Sequence, residues 1–360
     1  MLSIFILYIL IHQTVSGSVV PSDHQAQHVI VRRNNPIFFT VPLHYRRYNL
    51  YLAQVGFGTD PQTFLLLPDS GSSAIWVASK GSPHEESGFD KVYDAELSST
   101  HKTTGIDFSE EYTKGKVGGL LSKDNLLIGG MLLPDVLFGE TIHSESWGNK
   151  EPFQGIIGLQ HTSDNSKFPQ TFLDTLLANR MIDRPVFSLN YCRKPGSDGE
   201  LTFGRGPDHQ FQGNMVFMDV TDKYAWQFTI PRIMFGDEIL CLDCRVVVDS
   251  GHSLNSAPEA QTRLINRQFL FAREDEGLFY LNCANKRKGR PITLVFSEDA
   301  QFALDDYFLE ADYGAHSVCF SAYTFHKAHD FWVFGVDILQ YFSTVFDAEK
   351  KRIGFAKREC

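Results

Sequence analysis

Cations are scarce in this 360-residue chain: 33 Lys and Arg stand against 43 Asp and Glu, a formal net charge of −10. A surface of that sign repels phosphate backbones, so nucleic acid is not an expected partner. The deficit also suits simple solubility, or work in acid, and charge alone does not separate these. After the first residues no apolar run approaches the ~20 residues of a membrane-spanning helix, so no membrane attachment is expected. Asn-x-Ser/Thr is absent throughout, which argues against N-glycosylation. A His-Glu-x-x-His zinc signature is missing too: His24 and His28 have the four-residue spacing, but no Glu follows His24 and the polar surroundings lack helical patterning. No metal and no cofactor are expected. Only six cysteines occur, with a single Cys-x-x-Cys at Cys241–Cys244. One such pair is open to a redox, zinc or structural-bridge reading.

The chain does hold an apolar opening, Leu2 to Ile11, followed by Val15-Ser16-Gly17. This reads as a secretory signal peptide over residues 1–17, so the cysteines are expected to meet an oxidising compartment. The destination is secreted, or lysosomal by the same route. Residues 18–47 form an arm around Pro36 to Leu43, edged by Arg32-Arg33 and Arg46-Arg47. It is open to two readings, an arm with one strand or a short pro-segment. Apolar residues make up 43% and Phe numbers 30, which favours strand-rich globular structure. Short apolar runs separated by Gly turns, with one clear helical pattern over 168–181, make the fold class all-β. A short helical turn is expected within Tyr93–Thr100, a long hairpin within Ile106–Gly130, and a crossing strand over Pro185–Tyr191.

One short stretch occurs twice. Pro68-Asp69-Ser70-Gly71-Ser72-Ser73 follows Phe64-Leu65-Leu66-Leu67, and Asp249-Ser250-Gly251-His252-Ser253 follows Val246-Val247-Val248. An apolar run reads as a buried strand, and the Gly permits a sharp turn beside the carboxylate. A second element also recurs, as Gly155-Ile156-Ile157-Gly158 and Trp332-Val333-Phe334-Gly335. The Asp residues lie 180 positions apart (69 and 249), and Gly158 and Gly335 lie 177 apart. Two landmarks at nearly one offset indicate a duplicated lobe. Two carboxylates brought face to face cannot both ionise comfortably, so one keeps a proton while the other polarises a shared water. A serine hydrolase reading of Asp-Ser-Gly is weak. No supporting His and Asp pattern can be picked out, and such an enzyme has no use for the stretch twice.

From Tyr48 to Ala356 the chain resembles the pepsin-type aspartic proteases. The first turn continues as Ser72-Ser73-Ala74-Ile75-Trp76-Val77, like that family's Ser-Ser-x-x-Trp-Val. Ile156-Ile157-Gly158 and Val333-Phe334-Gly335 match its apolar-apolar-Gly pieces. Gln340-Tyr341-Phe342-Ser343-Thr344-Val345-Phe346-Asp347 resembles its closing run, with one extra residue. The resemblance implies two β-barrel-like lobes, residues 48–190 and 191–360, with a peptide or protein substrate in the cleft between them. It implies Asp69 and Asp249 as catalytic residues and Ser70, Gly71, Ser72, Ser250, Gly251 and His252 as their supports. Tyr112 takes the place of the family's flap tyrosine, with Trp76 beneath it, and Trp147, Phe153 and Ile156 are implied in substrate binding. By the same resemblance the cysteines pair as Cys241–Cys244, Cys283–Cys319 and Cys192–Cys360. A monomer is expected.

Three places depart from the family pattern. His252 stands where Thr or Ser is usual, Pro68 replaces an apolar residue with a free N–H, and Tyr112-Thr113-Lys114-Gly115 replaces Tyr-Gly-Thr-Gly. An imidazolium at His252 would favour an ionised Asp249; a ring turned away would not. The expected function is an aspartic endopeptidase working at acid pH. The alternative is an inactive member that binds peptide or protein in its cleft.

Overall fold

A computed structural model describes residues 37–358, apart from 47–48, 81–88, 90, 146–151, 163–167, 169, 194–195, 207–210, 270, 272, 276, 313–316 and 328. The expected signal peptide, residues 18–36 of the arm, the His24/His28 pair, Trp147 and Cys360 lie outside the described residues.

The fold is all-β and bilobal, as the sequence leads one to expect. Both Asp-bearing strands are sandwiched, which explains why they read as unbroken apolar runs rather than alternating ones. Gln62–Asp69 lies between Leu50–Phe57, antiparallel, and Gly155–Gly158, parallel, with Leu67 opposite Ile156 and Pro68 opposite Ile157. Glu238–Val248 lies between Gln227–Phe235, antiparallel, and Trp332–Phe334, parallel, with Val247 opposite Val333 and Val248 opposite Phe334. The apolar-apolar-Gly element is therefore the parallel neighbour of the Asp strand in each half. Its glycine answers to close approach. A Cβ on Gly158 would sit 2.4 Å from the Ser73 carbonyl carbon, and one on Gly335 would sit 1.6 Å from the Leu254 oxygen.

One 13-stranded sheet joins elements from both ends of the chain. Its floor is the crossing strand Val186–Asn190, buried throughout and antiparallel to Phe342–Asp347 and Gly199–Phe203. Phe187 stacks on Phe346 with centroids 4.4 Å apart, and Trp226 packs edge-on against both. The Trp226 indole N–H donates to the Leu159 carbonyl (2.8 Å). Sheets of seven and four strands complete the molecule.

The hairpin expected over 106–130 comprises Lys102–Tyr112 and Gly115–Ile128, with Tyr112 opposite Gly115 across the Thr113-Lys114 turn. The helix is shorter than its pattern, Phe172–Ala178. A capping box between Thr171 and Asp174 sets its start, and Arg180 in the left-handed region (φ 56°) closes it. The turn near Tyr93 is a single 3₁₀ turn, Ala95–Leu97. Cys241 and Cys244 are bonded inside the Glu238–Val248 strand rather than in a loop before it. Asp243, at φ 48°, supplies the kink that lets so short a ring close. Cys283 and Cys319 are also bonded. Cys192 is disulfide-bonded as well, and its expected partner is not among the described residues. No described helix is long and apolar enough to cross a membrane.

Candidate active site

Asp69 is the last residue of its strand and Asp249 follows the last residue of its own, each where the parallel neighbour ends. Beyond it the chain turns back, and the turn's first amide closes onto the carboxylate: Gly71 N–H donates to Asp69 Oδ1 and Gly251 N–H to Asp249 Oδ1, both at 2.8 Å. The two turns interlock. The Ser70 amide donates to Ser250 Oγ and the Ser250 amide to Ser70 Oγ, each at 2.9 Å. The hydroxyls then donate onward, Ser70 to the Val248 carbonyl and Ser250 to the Pro68 carbonyl, again at 2.9 Å. Four buried bonds thus tie residues 180 positions apart. Both serine hydroxyls are spent on backbone carbonyls, so neither is poised as a nucleophile.

The carboxyls meet at the centre of this arrangement. A Cβ on Gly71 would sit 2.8–2.9 Å from the Asp249 carboxyl, and one on Gly251 would sit 2.5 Å from Asp69 Oδ1. Only glycine leaves room for the two side chains to face one another. Burial raises both carboxyls, and the Asp249 charge raises Asp69 further. The environments differ. Ser72 Oγ donates to Asp69 Oδ2 (2.5 Å), whereas His252 stands in the matching place beside Asp249, with no hydroxyl and with its amide donating to the Asp249 backbone carbonyl (3.2 Å).

The departures of sequence can now be placed. Pro68 keeps the one role its twin Val248 has in the interlock, a carbonyl acceptor. It forgoes the other: the Val248 amide donates to the Trp226 carbonyl (2.9 Å), and proline has no such donor. Pairing with Leu50–Phe57 stops at Leu66, so no ladder bond is broken by it. Burial depresses the basicity of His252, while the Asp69 charge opposes this, and its Nε2 is buried without a partner.

Over the dyad, the Trp76 indole N–H donates to the Tyr112 hydroxyl (2.8 Å). Burial, then the Asp69 charge, raises the phenol well above its usual range. Phe153 and Ile156 are buried with Leu67, Trp76, Phe108 and Phe168 in the cluster on which Tyr112 packs. They form the base under the hairpin.

Two residues escaped the sequence reading. Gln160 donates through Nε2 to the Gly71 carbonyl (2.9 Å) and so holds the first turn from outside. Tyr191, fully buried, lies within the field of both carboxylates. Each follows a motif by one or two residues, Gly158 and the crossing strand, and that adjacency was the available signal. Among the described residues, the one His, Cys, Asp and Glu group close enough to share an ion is Cys283, Glu310 and Cys319, and the disulfide takes both sulfurs.

A family model described as eukaryotic aspartyl protease matches residues 50–358. Cathepsin E of Cavia porcellus is 27% identical over 317 residues, covering 85% of this chain and 80% of its own length. Cathepsin D of Clupea harengus is 27% identical over 333 residues, covering 85% and 81%. A probable vacuolar protease A of Trichophyton verrucosum (strain HKI 0517) is 27% identical over 322 residues, covering 85% and 78%.

Proposed function

The chain belongs to the eukaryotic aspartyl protease family, and from that premise we propose that it cuts peptide bonds at acid pH with a water gripped between Asp69 and Asp249. The observation that carries this reading is the facing of the two carboxyls through the Gly71 and Gly251 gaps. With both carboxyls raised, the pair holds one proton across the mildly acid range. The ionised member takes a proton from the water as its oxygen attacks the scissile carbonyl carbon. The protonated member donates its proton to the amide nitrogen as the carbon–nitrogen bond breaks. Protons balance, and no covalent intermediate is needed. Ser70, Ser250, Gly71 and Gly251 act as positioning residues, and Ser72 and the Tyr112 hairpin complete the first-lobe side.

In this reading the lobes divide near residue 190, the substrate is peptide or protein, and the protein works as a monomer. It reaches a lysosome or the exterior through the secretory pathway. The inactive alternative is not favoured, because both carboxyls and their interlock are intact. Digestion of denatured haemoglobin between pH 3 and pH 7 tests the mechanism with Asp69→Asn and Asp249→Asn. Each variant should lose about 10²–10⁴-fold in rate. Undiminished digestion by either variant would remove the dyad from the reaction.

A further inference from the structure

Beside the dyad stands a group of imidazoles that peptide hydrolysis does not require. His252 belongs to the second Asp turn, and its ring feels the Asp69 charge, which places it on the side of the opposing carboxyl. Its buried Nε2 has no partner. His329 lies near enough that a charge on His252 opposes a charge on His329. His326 packs on His329 with ring centroids 4.7 Å apart, and His329 stacks on Phe331 at 4.8 Å. His326 and Lys327 are exposed and His329 is half-buried, so the row leads from the dyad to solvent. Asp330, the carboxylate beside it, is taken by Arg245 at 2.6 Å. Asp69 is the other acid whose charge reaches the row, and its oxygens are held by the Gly71 amide and the Ser72 hydroxyl.

We propose that His252, His326 and His329 form a subsite that takes a carboxylate side chain of the peptide, Asp or Glu, close to the bond cut. This rests on the peptide-binding reading above and names the substrate class for that same cleft. Two rings, His252 and His329, have depressed basicity, each chiefly from burial, with neighbouring imidazoles adding to it at His329. An arriving carboxylate supplies the missing counter-charge and favours the protonated rings, so binding draws in protons. It also gives the orphaned Nε2 an acceptor once that nitrogen is protonated. A neutral or cationic side chain leaves the rings uncompensated or repels them.

The probes are octapeptides with the central amide reduced to CH2–NH, so that nothing is cut, built on one neutral sequence. Glu is placed against Gln at each of three positions on either side of the reduced bond. Calorimetry on the full-length secreted protein at pH 5.5 and 7.5, in two buffers of different ionisation enthalpy, reads affinity and proton uptake together. At one position Glu should bind about five- to tenfold tighter than Gln at pH 5.5, with net proton uptake. The preference should shrink at pH 7.5 and vanish in the His326→Gln/His329→Gln variant, while the Gln peptide binds that variant as before. Equal binding of Glu and Gln everywhere, a preference for Lys, no binding, or a preference that survives the double variant would each overturn the subsite. Hydrolysis of the parent amide peptide is scored separately. A Glu preference without any cleavage would keep the subsite and sink the protease reading.

Discussion

At the scale of single residues, what the dyad needs most is empty volume. Gly71 and Gly251 contribute no functional group beyond an amide, yet each leaves the space that the opposite carboxyl occupies. Gly251→Ala puts a methyl 2.5 Å from Asp69 Oδ1. Asp69 cannot retreat, because Gly71 and Ser72 hold both of its oxygens. The variant should fold, shown by unchanged far-ultraviolet dichroism, and lose at least about 10²-fold in kcat on a cleavable peptide, as misplacement of catalytic groups generally does. Wild-type kcat would mean that the carboxyls work without such close approach.

Among the elements, the Lys102–Tyr112 and Gly115–Ile128 hairpin is the one that carries Tyr112 to Trp76 and within the field of Asp69. Tyr112 stands at the last pair before the turn, and its hydroxyl accepts from a fully buried indole. Tyr112→Phe strands that N–H. An unmet buried donor costs about 1–3 kcal/mol. Steady-state kinetics should show kcat/KM down by about tenfold with modest loss of thermal stability. An unchanged kcat/KM would make the Trp76 contact incidental. The interlock works at the same scale, since it joins two turns through backbone groups and so depends on both strands being delivered in register.

For the whole molecule, buried carboxyls set the response to pH. Burial pushes Asp337 up to about 6, with Arg193 and the Asn255 amide pulling the other way. Asp69 and Asp249 are raised as well. A raised carboxyl binds more proton in the folded than in the unfolded chain. Its contribution is therefore complete below about pH 4, the ordinary carboxyl range, and is lost as pH climbs through the folded value. Asp124 is held low because bonds from Thr100 and Tyr93 outweigh burial, so it acts below that window. His161, His252 and His329, each depressed chiefly by burial, oppose the trend below pH 6.5. Between pH 4.5 and pH 7.5 the thermal midpoint of Asp337→Asn should therefore fall less, or rise more, than that of the parent protein. An identical change in both would contradict the burial assigned to Asp337.

The primary structure on its own determined the strands that carry Asp69 and Asp249, their Gly turns, the repeat of both landmarks and the class of chemistry. Those features depend on neighbours a few residues away, where apolar runs and glycines speak directly. Tertiary structure alone decided the rest. The exchange between Ser70 and Ser250 spans 180 positions and exists only because two parallel pairings bring those turns together. Gln160 and Tyr191 reach the site through packing, which no local pattern encodes. Phe153 and Ile156 read equally well as pocket or core until burial places them under the hairpin. The state of His252 depends on how much water the fold removes from it, and that is a property of everything around the ring.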